Sequence, residues 1–288
     1  MSEFLDYHFQ QGKTVYVNGV KTFLIDKGEG DVILLLHGFF ATSYTFRKLI
    51  PHLAKNFRVI APDLPGIGFS DTPHEVYSHR MLAKFVHSLL TEITDKPVHF
   101  VVHDYGGPIA FLLLNEFPEK VKTLTVMSSF LNLRKFRFYF PLYLLNKRWL
   151  GNLFSKMLSP VMLKLIYNSK FLVPESKIDD EIAKDYFQLL FAGEKRINFT
   201  KMCQFVDRTI YAQKDMEEGL KKMIGGRQIL TGEVSPLLNP YEAEYIKQKM
   251  RLSYGNFIPG KHFLMEESPE LCAEKISILV SKFSQKSE

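Results

Sequence analysis

Short apolar runs alternate with helix-like stretches along most of this chain, and this alternation is what most constrains its fold. Runs such as Val32–Leu36 and residues 98–102 carry no charge and end at glycine or polar residues. Uncharged runs of this length are typical of strands buried on both faces. Strands that alternate with helices predict an α/β fold with a mostly parallel sheet flanked by helices.

The alternation is interrupted once, by a long helical block at residues 131–224 that shows no strand pattern. Strands are predicted at 14–17, 22–25, 32–36, 57–61, 98–102, 121–127, 228–230 and 251–258, and helices at 43–55, 81–93, 108–116, 241–249 and 269–283. Asn18-Gly19 between the first two strands is a strong hairpin signal. The chain therefore divides into a first core segment, 1–130, a helical insertion, 131–224, and a second core segment, 225–288.

The positive charge of the chain is concentrated in part of the insertion. The formal net charge is +6, yet residues 121–174 contain nine Lys and Arg and no Asp or Glu. Aromatic and leucine side chains lie between these cations, which suits a lipid surface at least as well as a phosphate backbone. We expect no nucleic-acid partner, because no nucleic-acid-binding motif is present. Peripheral membrane contact around residues 134–148 is one interpretation, and a solvated helical face is the other.

The cysteine count and the lengths of the apolar segments indicate where in the cell the protein is located. Two cysteines, Cys203 and Cys272, are too few for a disulfide framework or a cysteine-based metal site. The first residues lack the pattern of a signal peptide, and no stretch reaches 18 uncharged apolar residues. The sequence predicts a cytoplasmic protein without a membrane span.

Asp104 lies where a strand is predicted to turn directly into a helix, in the stretch His103-Asp104-Tyr105-Gly106-Gly107. A sharp strand-to-helix turn exposes its central side chain above the sheet, and small residues after it allow close packing. Asp104 is thus a candidate nucleophile. Alternatively, it serves only as a helix cap.

Three further motifs accompany Asp104 in a fixed order: HGFF at residues 37–40, DLPGIGFSD at 63–71 and GKHF at 260–263. Together they resemble the α/β-hydrolase fold family over nearly the whole chain. Asp at the turn, rather than Ser, resembles the branch of haloalkane dehalogenases and epoxide hydrolases. The resemblance implies that the insertion 131–224 is a helical cap that follows the sixth strand.

The resemblance also implies a mechanism. Asp104, expected to be ionised at neutral pH, would attack an electrophilic carbon and form an ester, which water then hydrolyses. His262 would be the base for that water, and the backbone N–H groups of Phe39 and Tyr105 would form the oxyanion hole. His103, and likewise His37 in the HGFF motif, would support the structure around these groups.

The carboxylate that usually orients the histidine is missing from its expected position. The segment reads Gly232-Glu233-Val234-Ser235-Pro236, with Ser235 where the family carries Asp. A second position used in the family, after the sixth strand, reads Ser128-Ser129. Glu233 is the nearest substitute and completes the predicted catalytic set of Asp104, His262 and Glu233.

The leaving group depends on the cap. Halide binding commonly uses a tryptophan directly after the nucleophile, whereas Tyr105 stands there and the single tryptophan is Trp149. An epoxide needs a proton donor such as a cap tyrosine, although Val102 and Phe40 depart from the epoxide-hydrolase pattern and ordinary packing would also explain each tyrosine. The predicted substrate-binding residues are Tyr139, Tyr143, Tyr167, Tyr186, Tyr211 and Trp149.

The predicted function is hydrolysis of an apolar small molecule by an enzyme of epoxide-hydrolase type. No metal or organic cofactor is implied. A haloalkane dehalogenase is the first alternative. The second is a binding or regulatory protein that kept the fold and lost turnover together with the orienting acid.

Overall fold

The computed structural model describes residues 1–74, 78–135, 141–233 and 240–284. Within these residues eight strands form one sheet in the order β1-β2-β4-β3-β5-β6-β7-β8. The strands are β1 (Gly12–Val17), β2 (Val20–Lys27), β3 (Val32–Leu36), β4 (Arg58–Pro62), β5 (Val98–His103), β6 (Val121–Met127), β7 (Gly226–Thr231) and β8 (Asn256–Phe257).

Six of the strands, β3 to β8, pair in parallel, and β1 and β2 form an antiparallel hairpin at one edge. The hairpin turn has Asn18 at φ 49° and Gly19 at φ 77°, the two positive φ angles that a type I′ turn requires. The predicted α/β fold with a mostly parallel sheet and an N-terminal hairpin is confirmed.

Helices connect the strands and cover the sheet. They are α1 (Glu3–Gln11), α2 (Ile50–Leu53), α3 (His79–Ile93), α4 (Gly106–Glu116), α5 (Arg148–Met157), α6 (Pro160–Ile166), α7 (Asp180–Phe191), α8 (Lys195–Gln204), α9 (Ile210–Lys222), α10 (Pro240–Lys249), α11 (Leu264–Glu267) and α12 (Pro269–Ser284). Short 3₁₀ turns occur at Ser43–Phe46, Pro118–Lys120, Leu142–Asn146 and Pro174–Ser176, and a π-helical turn at Tyr167–Phe171 follows α6.

The centre of the sheet is its most apolar part. Every residue of β5 is buried, and so are nine consecutive residues of α4, from Gly106 to Leu114. β5 pairs with β3 through Leu36 and Val102, and with β6 through His103 and Met127. The carboxyl ends of the three strands therefore meet at one edge, where open α/β sheets bind their ligands.

Three local predictions differ from the structure. The predicted helix at 43–55 is a 3₁₀ turn followed by the short α2, whose first turn contains Pro51. The predicted strand at 251–258 is reduced to β8, because only Asn256 and Phe257 pair with β7, and Arg251 at its predicted start adopts φ 54°. Helix α1 was not predicted; its N-terminus is capped by Ser2, whose Oγ accepts from the N–H of Leu5 at 3.0 Å.

Helix α9 belongs to the layer that covers the sheet, although it lies within residues 131–224. It packs against α4 with Gly219 at the contact, where a Cβ atom would lie 2.0 Å from the backbone oxygen of Phe111. Only glycine permits this approach of two helices. Within the described residues, every helix is too short or too polar to cross a bilayer.

Candidate active site

Asp104 occupies the turn between β5 and α4 and adopts φ 49°. A left-handed backbone is unusual for a residue with a side chain, although Asp tolerates it better than most. The surrounding glycines allow the turn to be this tight: a Cβ on Gly106 would lie 2.5 Å from the oxygen of Leu36. The hydroxyl of Ser129 donates to the carbonyl oxygen of Asp104 at 2.6 Å and holds the turn in place.

Two backbone N–H groups donate to the carboxylate of Asp104. The N–H of Phe39 reaches Oδ1 at 2.7 Å, and the N–H of Tyr105 also donates to the carboxylate. A Cβ on Gly38 would lie 2.4 Å from Oδ1, so glycine is required for the loop to approach. The two N–H groups predicted to form an oxyanion hole therefore converge on one carboxylate.

The carboxylate of Asp104 is buried, with the residue only 2% exposed. Burial raises its pKa from 3.8 to about 7, and the N–H groups of Phe39 and Tyr105 offset part of that rise. A buried anion is disfavoured because it loses its hydration. The expectation of a fully ionised Asp104 at neutral pH is thus corrected: protonated and ionised forms coexist near pH 7.

His262 faces the other oxygen of Asp104. It lies on the loop between β8 and α11, and its Nε2 is 3.6 Å from Oδ2 of Asp104. Its backbone N–H donates to the oxygen of Phe171 at 3.1 Å, and its ring packs against the Phe171 ring with centroids 5.4 Å apart. Burial, with a smaller contribution from His103, lowers the pKa of His262 well below 6.5, so the imidazole is neutral at pH 7.

The second ring nitrogen of His262 is buried and has no hydrogen-bond partner among the described residues. Glu233 is exposed; its backbone N–H donates to the oxygen of Gly260 at 2.6 Å. The structure does not bring the Glu233 carboxylate to His262. Ser235 lies outside the described residues. After β6, Ser128 and Ser129 provide hydroxyls and no carboxylate.

His37 and His103 serve as structural supports. Nε2 of His37 accepts from the N–H of Leu64 at 3.0 Å while Nδ1 lies 3.0 Å from the oxygen of Gly38, and burial lowers its pKa to about 4. Nε2 of His103 contacts the backbone oxygen of His262 at 3.0 Å. These hydrogen bonds hold the loops that carry Phe39 and His262.

Asp63 is a buried positioning residue whose role sequence reasoning missed. Its carboxylate accepts from the N–H groups of Ser43 at 2.7 Å and Phe69 at 2.8 Å, and burial raises its pKa to about 6. It thereby ties the segment after Phe39 to the loop after β4. The available signal was the motif DLPGIGFSD, in which Asp63 and Gly68 occur together; in the structure a Cβ on Gly68 would lie 2.1 Å from Asp63 Oδ2.

A buried polar network connects cap helix α7 to α11, the helix that follows the His262 loop, and no local sequence pattern predicted it. Glu266, four residues after His262, pairs with Arg47 and accepts from the hydroxyl of Tyr186 at 2.8 Å. Asp185 on the same cap helix accepts from the hydroxyl of Tyr44 at 3.2 Å. The helix that follows the His262 loop is therefore bound through Glu266 to Arg47 and to Tyr186 of the cap.

The predicted cap residues fall into two groups. Tyr167 and Tyr186 are each 1% exposed; the Tyr167 hydroxyl donates to the backbone oxygen of Phe40. Tyr143, Tyr211 and Trp149 are 38%, 75% and 87% exposed. Tyr139 lies outside the described residues. The structure thus brings Tyr167 and Tyr186 into the buried layer and leaves Trp149 and Tyr211 on the surface.

Apolar rings surround the carboxylate. Phe39 stacks on Tyr105 with ring centroids 4.1 Å apart, and Phe40 packs edge-on against Phe199 of α8 at 4.9 Å. Their role was not predicted, because aromatic residues in loops carry no periodic signal. Within the described residues, no group of three His, Cys, Asp or Glu side chains could hold a metal ion.

Comparison with known proteins supports the fold. A family model described as alpha/beta hydrolase fold matches residues 31–269. A soluble epoxide hydrolase from Corynebacterium sp. strain C12 is 33% identical over 126 residues, which cover 44% of this chain and 44% of that protein. The alignment thus spans less than half of the relative's own length.

Solved structures share the fold across almost the whole chain. Cfl2 from Burkholderia cenocepacia superposes with a TM-score of 0.82 at 22% identity, covering 93% of this chain and 94% of that one. The haloalkane dehalogenase DbeA from Bradyrhizobium elkani superposes with a TM-score of 0.80 at 19% identity, covering 96% and 99%. At these identities the likeness concerns the fold alone.

The raised pKa of Asp104 predicts a pH-dependent stability cost. Its folded pKa of about 7 exceeds 3.8, so the unfolded chain holds fewer protons over that interval and stability falls as pH rises from about 4 to about 7. Asp104→Asn should therefore be more stable than the wild type at pH 8, by on the order of a few kcal/mol, and the two should converge near pH 4.

Urea unfolding from pH 4 to pH 8 measures this difference. Glu274→Gln, at an exposed position of α12, is the control and should follow the wild-type curve. If the free energies of unfolding of the wild type and Asp104→Asn changed in parallel with pH, the raised pKa of Asp104 would be contradicted.

Proposed function

The chain belongs to the alpha/beta hydrolase fold family, and from this premise we propose that it hydrolyses an apolar small molecule through an ester on Asp104, with an epoxide as the favoured substrate. The observation that carries the proposal is the placement of one carboxylate. Oδ1 of Asp104 accepts from Phe39 at 2.7 Å, while Oδ2 lies 3.6 Å from Nε2 of His262. One oxygen is held and the other faces the base.

In the proposed first step, ionised Oδ2 attacks an epoxide carbon. A C–O bond forms to Asp104, the epoxide C–O bond breaks, and the ring oxygen takes a proton. Tyr167 is the proposed donor, because its hydroxyl already contacts Phe40 next to the oxyanion segment. It would exchange that acceptor for the epoxide oxygen.

In the second step, Nε2 of His262 takes a proton from water, and the resulting hydroxide attacks Cγ of the ester. The negative charge develops on Oδ1, where the N–H groups of Phe39 and Tyr105 already donate, so little reorganisation is needed. The tetrahedral intermediate then collapses: the ester C–O bond breaks, His262 returns the proton to the product oxygen, and a diol leaves. Asp104 is left as the carboxylic acid and Tyr167 as the phenolate, and a proton passed from Asp104 through solvent to Tyr167 restores both groups. At pH 7 the His262 ring is neutral and can accept a proton, while the lowering of its pKa by burial makes it a weaker base than a free imidazole.

The dehalogenase alternative lacks a tryptophan next to the nucleophile. The only tryptophan in the chain, Trp149, is 87% exposed on α5 and so does not face the buried carboxylate. Tyr105 follows the nucleophile, and its hydroxyl accepts from the backbone N–H of His79. An epoxide needs no halide site.

The third interpretation, a binding protein without turnover, is favoured by one observation. Nδ1 of His262 has no partner among the described residues, and an imidazole without an orienting acid can adopt the wrong tautomer. Hydrolysis would then be impaired more than ester formation, which uses Asp104 alone.

The cellular setting forms part of the proposal. Cys203 and Cys272 are both free and buried, which supports the predicted cytoplasmic location. The aromatic surroundings of Asp104 support an apolar substrate, because rings such as Phe39 and Phe199 offer it contact area and few polar groups.

The proposed chemistry predicts a trapped ester. After incubation at pH 8 with terminal epoxides, and separately with 1-haloalkanes, intact mass should show an adduct on Asp104. His262→Gln should accumulate it, because the base for hydrolysis is missing. The rate of adduct formation should rise with pH up to about 7, as Asp104 ionises.

Asp104→Ala is the control and should form no adduct. Product without any adduct in His262→Gln would contradict the covalent mechanism. Absence of both adduct and product with every compound would instead favour the binding protein.

Restoring the missing acid provides a second prediction. Ser235→Asp should raise turnover by at least about tenfold, because the equivalent acid in serine proteases is worth about 10⁴-fold. Ser235→Asn, of similar size and without charge, is the matched control for steady-state rates. If Ser235→Asp did not raise turnover and Glu233→Gln abolished it, Glu233 would already be the acid that orients His262.

A further inference from the structure

Helix α5 of the cap exposes an apolar stripe to solvent. Trp149, Leu150, Leu153 and Met157 are 87%, 52%, 60% and 63% exposed. At about 100° per residue these four positions fall within an arc of about 100° on one side of the helix. They form a single face, which we call the α5 stripe.

The opposite side of α5 is already used for packing. Gly151, Phe154 and Ser155 are buried, and a Cβ on Gly151 would lie 2.5 Å from the backbone oxygen of Leu145. The helix is therefore anchored to the cap by one face while a second apolar face remains uncovered. The next helix, α6, continues the pattern with Val161 and Leu165, which are 64% and 63% exposed.

Cations flank the stripe, and carboxylates are absent from this part of the sequence. Residues 121–174 contain nine Lys and Arg and no Asp or Glu. Lys164 pairs with Asp180 at 3.0 Å, whereas no ion pair holds Lys147, Arg148 or Lys156 in the part of the chain that the structure describes. All three are exposed, so their charges are available to an anionic partner.

We propose that the α5 stripe docks on an anionic lipid bilayer. Four large apolar side chains with cations at their edges match the amphipathic helices that lie in the membrane interface. Tryptophan, here at 87% exposure, is the side chain most typical of the interfacial layer. Long lysine and arginine side chains can reach lipid phosphates while the apolar groups enter the acyl boundary.

The proposed membrane contact lies further along the chain than the contact predicted from the sequence. Residues 134–148 were the predicted contact, and 136–140 lie outside the described residues. The exposed apolar groups are carried instead by α5, which begins at Arg148. Docking through α5 would place the cap, and the apolar surroundings of Asp104 beneath it, next to a source of apolar compounds.

The position of the only tryptophan makes the proposal directly measurable. Tryptophan emission, excited at wavelengths that tyrosine does not absorb, reports on Trp149 alone. Vesicles of phosphatidylglycerol and phosphatidylcholine should therefore shift it to the blue, and brominated lipids should quench it. Phosphatidylcholine alone should do neither. Raising the salt to about 0.5 M should weaken the effect, because ionic screening shortens the reach of surface charge.

Two variants test the two parts of the surface. Leu153→Glu should abolish the shift, and Lys156→Gln should weaken vesicle binding about fivefold, the contribution of one cation near an anionic surface. Ile278→Glu, at a 59% exposed apolar position of α12, is the matched control and should bind as the wild type. Circular dichroism melts check that each variant is folded.

Three results would overturn the proposal: no shift with anionic vesicles, an equal shift with neutral ones, or equal loss of binding in Ile278→Glu. Sedimentation without lipid tests the other possible partner of the α5 stripe, a second copy of the chain. A dimer that Leu153→Glu dissociates, with no lipid-dependent shift in the wild type, would assign the α5 stripe to a second copy of the chain. None of these measurements uses turnover, so they stand independently of the proposed hydrolysis.

Discussion

The rest of the structure depends on the burial of one carboxylate. Asp104 sits at φ 49° above the carboxyl end of β5 and is 2% exposed. Removal from water raises its pKa to about 7, and the backbone N–H groups that converge on it offset only part of that penalty. The neighbouring loops are built to supply these groups: His37 and Asp63 fix the loop of Phe39, and Ser129 fixes the turn itself. A destabilised, oriented carboxylate is what a nucleophile requires.

The cap contributes through polar bonds as well as apolar contact. Arg47 and Tyr186 meet at Glu266, on the helix α11 that follows the His262 loop, and the backbone of Phe171 accepts from His262 itself. A buried ion pair of this kind adds little net stability but strongly penalises misplacement, because separating it leaves an uncompensated charge. The position of His262 thus depends on the contacts between these cap residues and the sheet.

Much of this arrangement could be predicted from the sequence. Uncharged strands such as β3 and β5, the Asn18-Gly19 turn and the motif around Asp104 each carry a local signal that tertiary contacts reinforce. Features that arise from distant contacts could not be predicted. The pairing of Arg47 with Glu266 joins residues far apart in the sequence, and the shifted pKa of Asp104 depends on burial by groups from several elements. The strand predicted at 251–258 was too long: its first residue, Arg251, has a positive φ, and only Asn256 and Phe257 pair with β7.

The central claim, that Asp104 carries the substrate as an ester, can be tested by isotope transfer. In H₂¹⁸O, hydrolysis of such an ester places the water oxygen on Cγ of Asp104. In the first turnover the oxygen added to the product should therefore be ¹⁶O from the carboxylate. After many turnovers the peptide containing Asp104 should carry ¹⁸O. Product labelled with ¹⁸O in a single turnover, with Asp104 unlabelled after many, would show direct attack of water and contradict the account.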